Sequence, residues 1–142
     1  MINTIIESIS VALNAAFGDR YELHMEEVEQ GLEDPYFVIS CIYSTNKLLS
    51  GKRYFRCNQF CIQYFPEDEA HKNKEYNEVA ERLFMCLEYL DVGGNLAMGT
   101  KMKYEVIDGI LHFFVNYDLF VYKVAESVAV MEKVSSETSV KG

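Results

Sequence analysis

A chain of 142 residues has room for one domain with a real core and not for two ordinary ones. Its 49% apolar content is inside the normal globular range, with ten Tyr, nine Phe and no Trp. Thirteen basic against 22 acidic residues leave a formal net charge of -9, which argues against general nucleic-acid binding and against an anionic membrane surface, because both need a cationic footprint. A pore lined with acid can still let DNA pass without gripping it.

Thr4 and Glu7 have the spacing of a capping box before a helix at roughly 4–17. Ile6, Ile9, Leu13, Ala16 and Phe17 recur along one face, while Glu7, Ser10 and Asn14 fall on the other, and Gly18 is placed to stop the helix. Residues Met1 to Phe17 lack a basic n-region and an unbroken apolar core, so they do not read as a targeting segment. Tyr21, Leu23 and Met25 alternate with Glu22, His24 and Glu26, the pattern of a half-buried strand. An acidic run follows: Glu26, Glu27, Glu29, Glu33 and Asp34, with Gly31 and Pro35 marking a turn region. Two readings stand for it, a solvated loop or a surface that meets a basic partner.

Tyr36 to Tyr43 reads as a central strand, apolar on both faces. Ser44 to Lys52 reads as a polar loop in which Leu48 and Leu49 stand out. Arg53 to Phe65 is a further strand, ended by Pro66. After a polar linker at Asp68–Asn73, with Asn73 as cap, Tyr76, Val79, Ala80, Leu83, Leu87 and Leu90 form the stripe of a second helix at about 74–90. Asp91–Gly99, with Gly93-Gly94, reads as a loop.

The stretch from Lys101 to Tyr122 is the strongest local signal. Asp108-Gly109 is a favoured two-residue hairpin turn. Counting outward, Ile107 faces Ile110, Val106 faces Leu111, Tyr104 faces Phe113 and Met102 faces Val115. Met102, Tyr104, Val106, Leu111, Phe113, Val115, Tyr117, Leu119 and Val121 then share one face, the expected core row. The opposite face mixes Lys101, Lys103, Glu105, His112, Asn116 and Asp118 with Phe114, Phe120 and Tyr122. Those aromatics either meet another chain or lie under helices of this one. Beyond Ala125 the pattern fades; Val128, Val130 and Met131 allow a short element, and Ser135–Gly142 is Ser/Thr/Lys/Gly-rich. The expected fold is α+β: two helices on a mostly antiparallel sheet of four or five strands with a long C-terminal β-hairpin, one domain at 1–124 and a partly flexible tail at 125–142.

Reactive chemistry is sparse. Cys57 and Cys61 share a strand face but lie ~13 Å apart, at ~3.3 Å per residue, too far for one metal. Cys41 and Cys86 read with them as core or strand thiols of a reduced, intracellular chain. His24, His71 and His112 are scattered, and His112 opposite Glu105 is a cross-strand polar pair. Gly93-Gly94 precedes a strand, whereas a phosphate loop opens a helix. No catalytic residue, cofactor or metal ligand is therefore assigned.

Several segments carry a family resemblance over roughly residues 1 to 124. They are the opening Met1-Ile2-Asn3 helix, Glu26-Glu27-Val28-Glu29-Gln30-Gly31-Leu32 with Pro35, and Arg53-Tyr54-Phe55. Phe60-Cys61-Ile62-Gln63-Tyr64-Phe65-Pro66, Asn77-Glu78-Val79-Ala80-Glu81-Arg82-Leu83, Gly99-Thr100-Lys101-Met102 and His112-Phe113-Phe114-Val115-Asn116-Tyr117 complete the set. Together the chain resembles the tail terminator proteins of phages and prophages from Gram-positive, Clostridium-like bacteria and of contractile phage-tail-like bacteriocins.

The resemblance implies a structural protein and not an enzyme. It implies a homohexameric ring on the head-proximal end of the tail tube that stops polymerisation, contacts the sheath top or the head–tail connector, and is built in the host cytoplasm into a virion or tail-like particle. A ring needs two different patches that match. Phe114, Phe120 and Tyr122 are the expected apolar contacts on the hairpin. Leu48 and Leu49, with Lys47, Lys52, Arg53 and Arg56, are the expected contacts of the Ser44–Arg56 segment. The acidic run from Glu26 to Asp34 either complements those cations or faces the lumen. Two other readings are a different particle component (head–tail adaptor, tube or baseplate protein) and a small monomeric or dimeric host-directed binding protein.

Overall fold

The computed structural model of the chain describes residues 1–18, 22–24, 35–66, 72–122, 128–130 and 132–135. In chain order it contains α1 (Ile2–Phe17), β1 (Glu22–His24), β2 (Tyr36–Ser50), β3 (Arg53–Phe65), α2 (Lys72–Cys86), β4 (Tyr89–Val92), β5 (Asn95–Ile107), β6 (Ile110–Tyr122), β7 (Val128–Val130) and β8 (Glu132–Ser135). The expected α+β fold is present. Its sheet runs β1-β2-β3-β6-β5-β4, and β7 pairs with β8 alone. The chain divides into two compact units, one of Met1–Thr45 with Cys57–Leu119 and one of Asn46–Arg56 with Phe120–Gly142.

In the first unit both helices bury their apolar stripes on one face of the sheet. α1 contributes Ile5, Ile6, Ile9, Leu13 and Phe17, and the α2 segment contributes Tyr76, Val79, Ala80, Leu83 and Leu87. They meet Phe37 and Ile39 of β2, Phe60, Ile62 and Tyr64 of β3, and Leu111, Phe113, Val115 and Tyr117 of β6. The Phe17 and Phe37 rings lie 5.0 Å apart, as do Phe37 and Tyr64. The central part of the expected core row is thus fully buried, while Tyr104 and Val106, near the hairpin tip, are exposed.

Three element ends differ from the expectation. The Thr4–Glu7 capping box is not formed: α1 starts at Ile2, its N-cap is Met1, and no side chain caps it. Half-buried Ile2 packs on the core, which draws the helix start forward and leaves Thr4 inside the first turn. Asn73 is no cap either, because α2 already begins at Lys72. The second helix does not reach residue 90. It ends at Cys86, and Tyr89–Val92 is a strand paired antiparallel with β5, Leu90 opposite Ala97.

What the sequence presents as a loop at Asp91–Gly99 is the turn of that hairpin and the start of β5. Gly93 and Gly94 sit at φ 60° and 89°, the two positive values that a type I′ turn requires. The Gly94 amide donates to Asp91 Oδ1 at 2.9 Å. The β5–β6 hairpin turns at Asp108-Gly109 with Ile107 opposite Ile110 and Tyr104 opposite Phe113, as the residue pattern requires. Its register slips by one residue between Thr100 and Lys103, where Lys101 takes φ 52°, so Lys101 and Met102 both fall across from Val115 and the simple count no longer holds beyond them, with Thr100 opposite Asn116.

Side-chain bonds fix the direction of β3 against β6. Asn58 Nδ2 donates to the Tyr117 carbonyl at 2.9 Å, and Gln63 reaches His112 at 3.5 Å, so the two strands run antiparallel. Asn58 is fully buried, and its Oδ1 accepts from Ser44 at 2.7 Å, which satisfies an otherwise costly amide. β1 pairs parallel with β2, Leu23 opposite Phe37, and adds a short edge to five antiparallel strands. Glu105 and His112 are cross-strand partners.

Phe113→Ala should cost about 3–5 kcal/mol, the range for an aromatic removed from a closed core. Chemical denaturation measures it, and a loss below about 1 kcal/mol would contradict the packing. A Cβ on Gly99 would stand 2.5 Å from the Leu87 carbonyl oxygen and 3.1 Å from Val115. Gly99→Ala should therefore destabilise by about 1–3 kcal/mol through overpacking, read from the same denaturation curves.

Burial pushes the Cys61 and Cys86 thiols from 9.0 up to about 11, with Glu105 adding to the effect on Cys61. Burial also pushes the Tyr117 hydroxyl upward. The unfolded chain loses these thiol protons first, so stability is full below the ordinary thiol value of 9.0 and is lost as pH rises through about 11. Urea midpoints measured from pH 8 to 11 should fall, and a Cys61→Ala, Cys86→Ala variant should show a shallower fall.

Candidate assembly surface

The segment expected to be a loop at Ser44–Lys52 is mostly strand. β2 continues to Ser50, turns at Gly51-Lys52 and returns as β3 from Arg53. Its polar residues reach strand geometry because they pair with a returning strand, not because they alternate. Burial follows period 2 no further: every residue from Ile42 to Ser50 is exposed, on both faces of the strand. This arm holds Lys47, Lys52, Arg53 and Arg56 and not one acid between Tyr43 and Arg56. In a chain of net charge -9 that is a local inversion of sign.

Eight of the nine residues expected at contacts belong to the second unit: Lys47, Leu48, Leu49, Lys52, Arg53, Arg56, Phe120 and Tyr122. Leu48 is 55% exposed, Leu49 42%, Phe120 57% and Tyr122 69%. Within that unit the Phe120 ring lies 5.0 Å from Phe55, and the Arg53 guanidinium sits 4.6 Å from the Phe120 centroid. Such stacking holds the Arg53 head group over an aromatic face while leaving its outer donors open.

Phe114 does not join them. It lies in the first unit, half-buried, with Lys103 Nζ 5.4 Å from its ring centroid. Among the described residues the Phe114 ring has Lys103 beside it, and the Phe120 ring has Phe55 and Arg53. The acidic run Glu26, Glu27, Glu29, Glu33 and Asp34 lies outside the described residues, as does His71.

A second surface lies where the sequence pattern suggests the end of a helix at 89–90 and a loop from Asp91. α1 and β4 bound an open groove of about 420 Å³ lined by Thr4, Glu7, Ser8, Val11, Ala12, Tyr89, Leu90, Asp91 and Gly93. Val11 and Tyr89 expose large apolar groups there, and Glu7 and Asp91 are its charged members. β4 is the last strand of the sheet, so its outer backbone row has no strand partner among the described residues. The glycine pair Gly93-Gly94 was the one sequence signal for this hairpin.

Cys61 Sγ lies 4.0 Å from His112 Nδ1, with Gln63 at 3.5 Å from the same nitrogen. A thiol pushed up to about 11 is protonated and a poor nucleophile at neutral pH. Among the described residues no three His, Cys, Asp or Glu side chains gather to hold a metal ion, and no helix is long and apolar enough to cross a membrane.

No curated protein matches the chain. Among the solved structures that match, one is covered over 99% of its length and covers 89% of this chain, at 10% identity and a TM-score of 0.42. The model of the phage tail terminator protein family matches residues 4–129. That span takes in both helices, the sheet and the charged arm, and the chain belongs to the phage tail terminator protein family.

Proposed function

We propose that this chain forms a homohexameric ring on the head-proximal end of a tail tube, where it stops tube polymerisation and presents a surface to the sheath top or the head–tail connector. The family is one of structural tail proteins; ring symmetry, the capped end and the named partners are the further step. The source suggested by the matching segments is a Gram-positive phage, prophage or contractile phage-tail-like bacteriocin. Residues 1–124 act as the terminator domain, with 125–142 as its tail.

One observation carries the reading: an exposed, acid-free β-arm with two leucines, projecting cations from an acidic chain. A monomer gains nothing from a strand exposed on both faces, since no core repays its ordering. An assembling subunit does, because a heterologous contact buries it. Phe120 and the leucine pair supply apolar area and the exposed Lys47, Lys52 and Arg53 supply orientation, the division of labour usual at interfaces.

The triple variant Leu48→Ser, Leu49→Ser, Phe120→Ser should keep the circular dichroism of the wild type, because none of these residues belongs to the buried core. It should lose hexamers in native mass spectrometry on tube-capped samples, and tails assembled with it should vary in length. Normal hexamers and tails of uniform length would overturn the reading, and a mass of twelve subunits would point instead to an adaptor.

A further inference from the structure

The groove and the arm are opposites in shape and charge. The groove between α1 and β4 is concave, apolar at Val11, Ala12 and Tyr89, and carries Glu7 and Asp91 with no cation in its lining. The arm is a strand in which Lys47 and Leu49 fall on one face, two residues apart. Leu48 shares the other face with the uncharged Asn46. Beyond the three pairs that β2 makes with β1, ending at Val38, no strand pairs with that edge of β2 among the described residues. β4 offers a free edge of its own. A strand laid along a free edge gains main-chain hydrogen bonds, and its alternate side chains enter whatever pocket lies beneath.

We infer that the arm of one copy docks along β4 of a neighbouring copy, with Leu49 in the groove over Val11 and Tyr89 and Lys47 paired to Glu7 and Asp91. The occupant is a second copy of this chain because the groove calls for a short segment with a cation beside an apolar side chain. Within the described residues the longest exposed stretch of that character is the arm itself. Such a contact is heterologous: arm on one side, groove on the other. It repeats head to tail and closes into a ring when the rotation allows. The inference rests on the ring proposed above and specifies what holds it together.

The test is a charge swap in the full-length chain assembled on tail tubes. Lys47→Glu should lower the bound-ring fraction about tenfold or more, since like charges at an interface cost several kcal/mol. A Glu7→Lys, Asp91→Lys variant should do the same. Combining Lys47→Glu with Glu7→Lys and Asp91→Lys should restore rings towards wild-type levels, and circular dichroism checks that each variant is folded. Mixed copies carrying Leu49→Cys in a heavy-isotope chain and Val11→Cys in a light one should give heavy–light cross-links. Normal rings from Lys47→Glu, no rescue in the swap, or cross-links at other positions only would overturn the docking mode while leaving the ring intact. Wild-type chains that never form rings on tubes would overturn the ring itself.

Discussion

The hydroxyl of Tyr117 donates to the carbonyl of Leu87 at 2.5 Å, deep in the core, where the chain leaves α2 and turns back to the sheet. A helix ends with carbonyls that have lost their partners, and burying one unpaired costs about 1–3 kcal/mol. Here β6 reaches across and supplies the donor. Directly beside it the Gly99 amide donates to Glu88 at 2.7 Å, and the absence of a side chain at Gly99 lets the two backbones approach. This corner lets Tyr89–Val92 leave the helix direction, pair with β5 and become the last strand of the sheet.

The same device recurs along α2. Tyr64 donates to Glu75, Tyr76 donates to the Gly109 carbonyl at 2.6 Å, and Tyr104 donates to Asn77 at 3.2 Å. Each ring packs on apolar surface while its hydroxyl reaches a polar group at the border, the use to which tyrosine is suited. A chain with ten tyrosines and no tryptophan thereby pins one helix to the sheet at several points. The Phe84 ring meets Phe113 at 5.0 Å and Tyr104 at 6.2 Å between them. Rigidity of this kind suits a subunit whose task is to hold a shape.

The electrostatics divide differently. Acid dominates the chain, yet the arm concentrates four cations over a stretch free of acid. At physiological ionic strength charges further apart than about 8 Å are largely screened, so this inversion acts only where the arm touches something acidic at close range. Stacking on Phe120 already restrains Arg53, which lowers the entropy that a new contact would have to overcome. The arm is thus chemically distinct from the tyrosine-pinned core, as expected of an assembling protein in a tail structural family.

Local pattern was enough for the elements whose burial repeats with their own geometry. The α1 stripe from Ile6 to Phe17, the turn at Asp108-Gly109 and the buried row Leu111, Phe113, Val115 and Tyr117 follow from periods of 3.6 and 2 and from a dipeptide that tolerates positive φ. The leucine pair and the cations of residues 47–56 were equally legible, because composition is local. Tertiary structure alone decided the rest. Leu90 fits a helical stripe and a strand equally well, and only pairing with Ala97 makes it a strand residue. Ser44 to Ser50 has no periodicity to read; it is a strand because a returning chain satisfies its backbone. The groove joins residues 4–12 to residues 89–93, and no sequence pattern brings such distant segments together. Periodicity records which face of one element is buried, whereas pairing and concavity depend on where a different part of the chain lies.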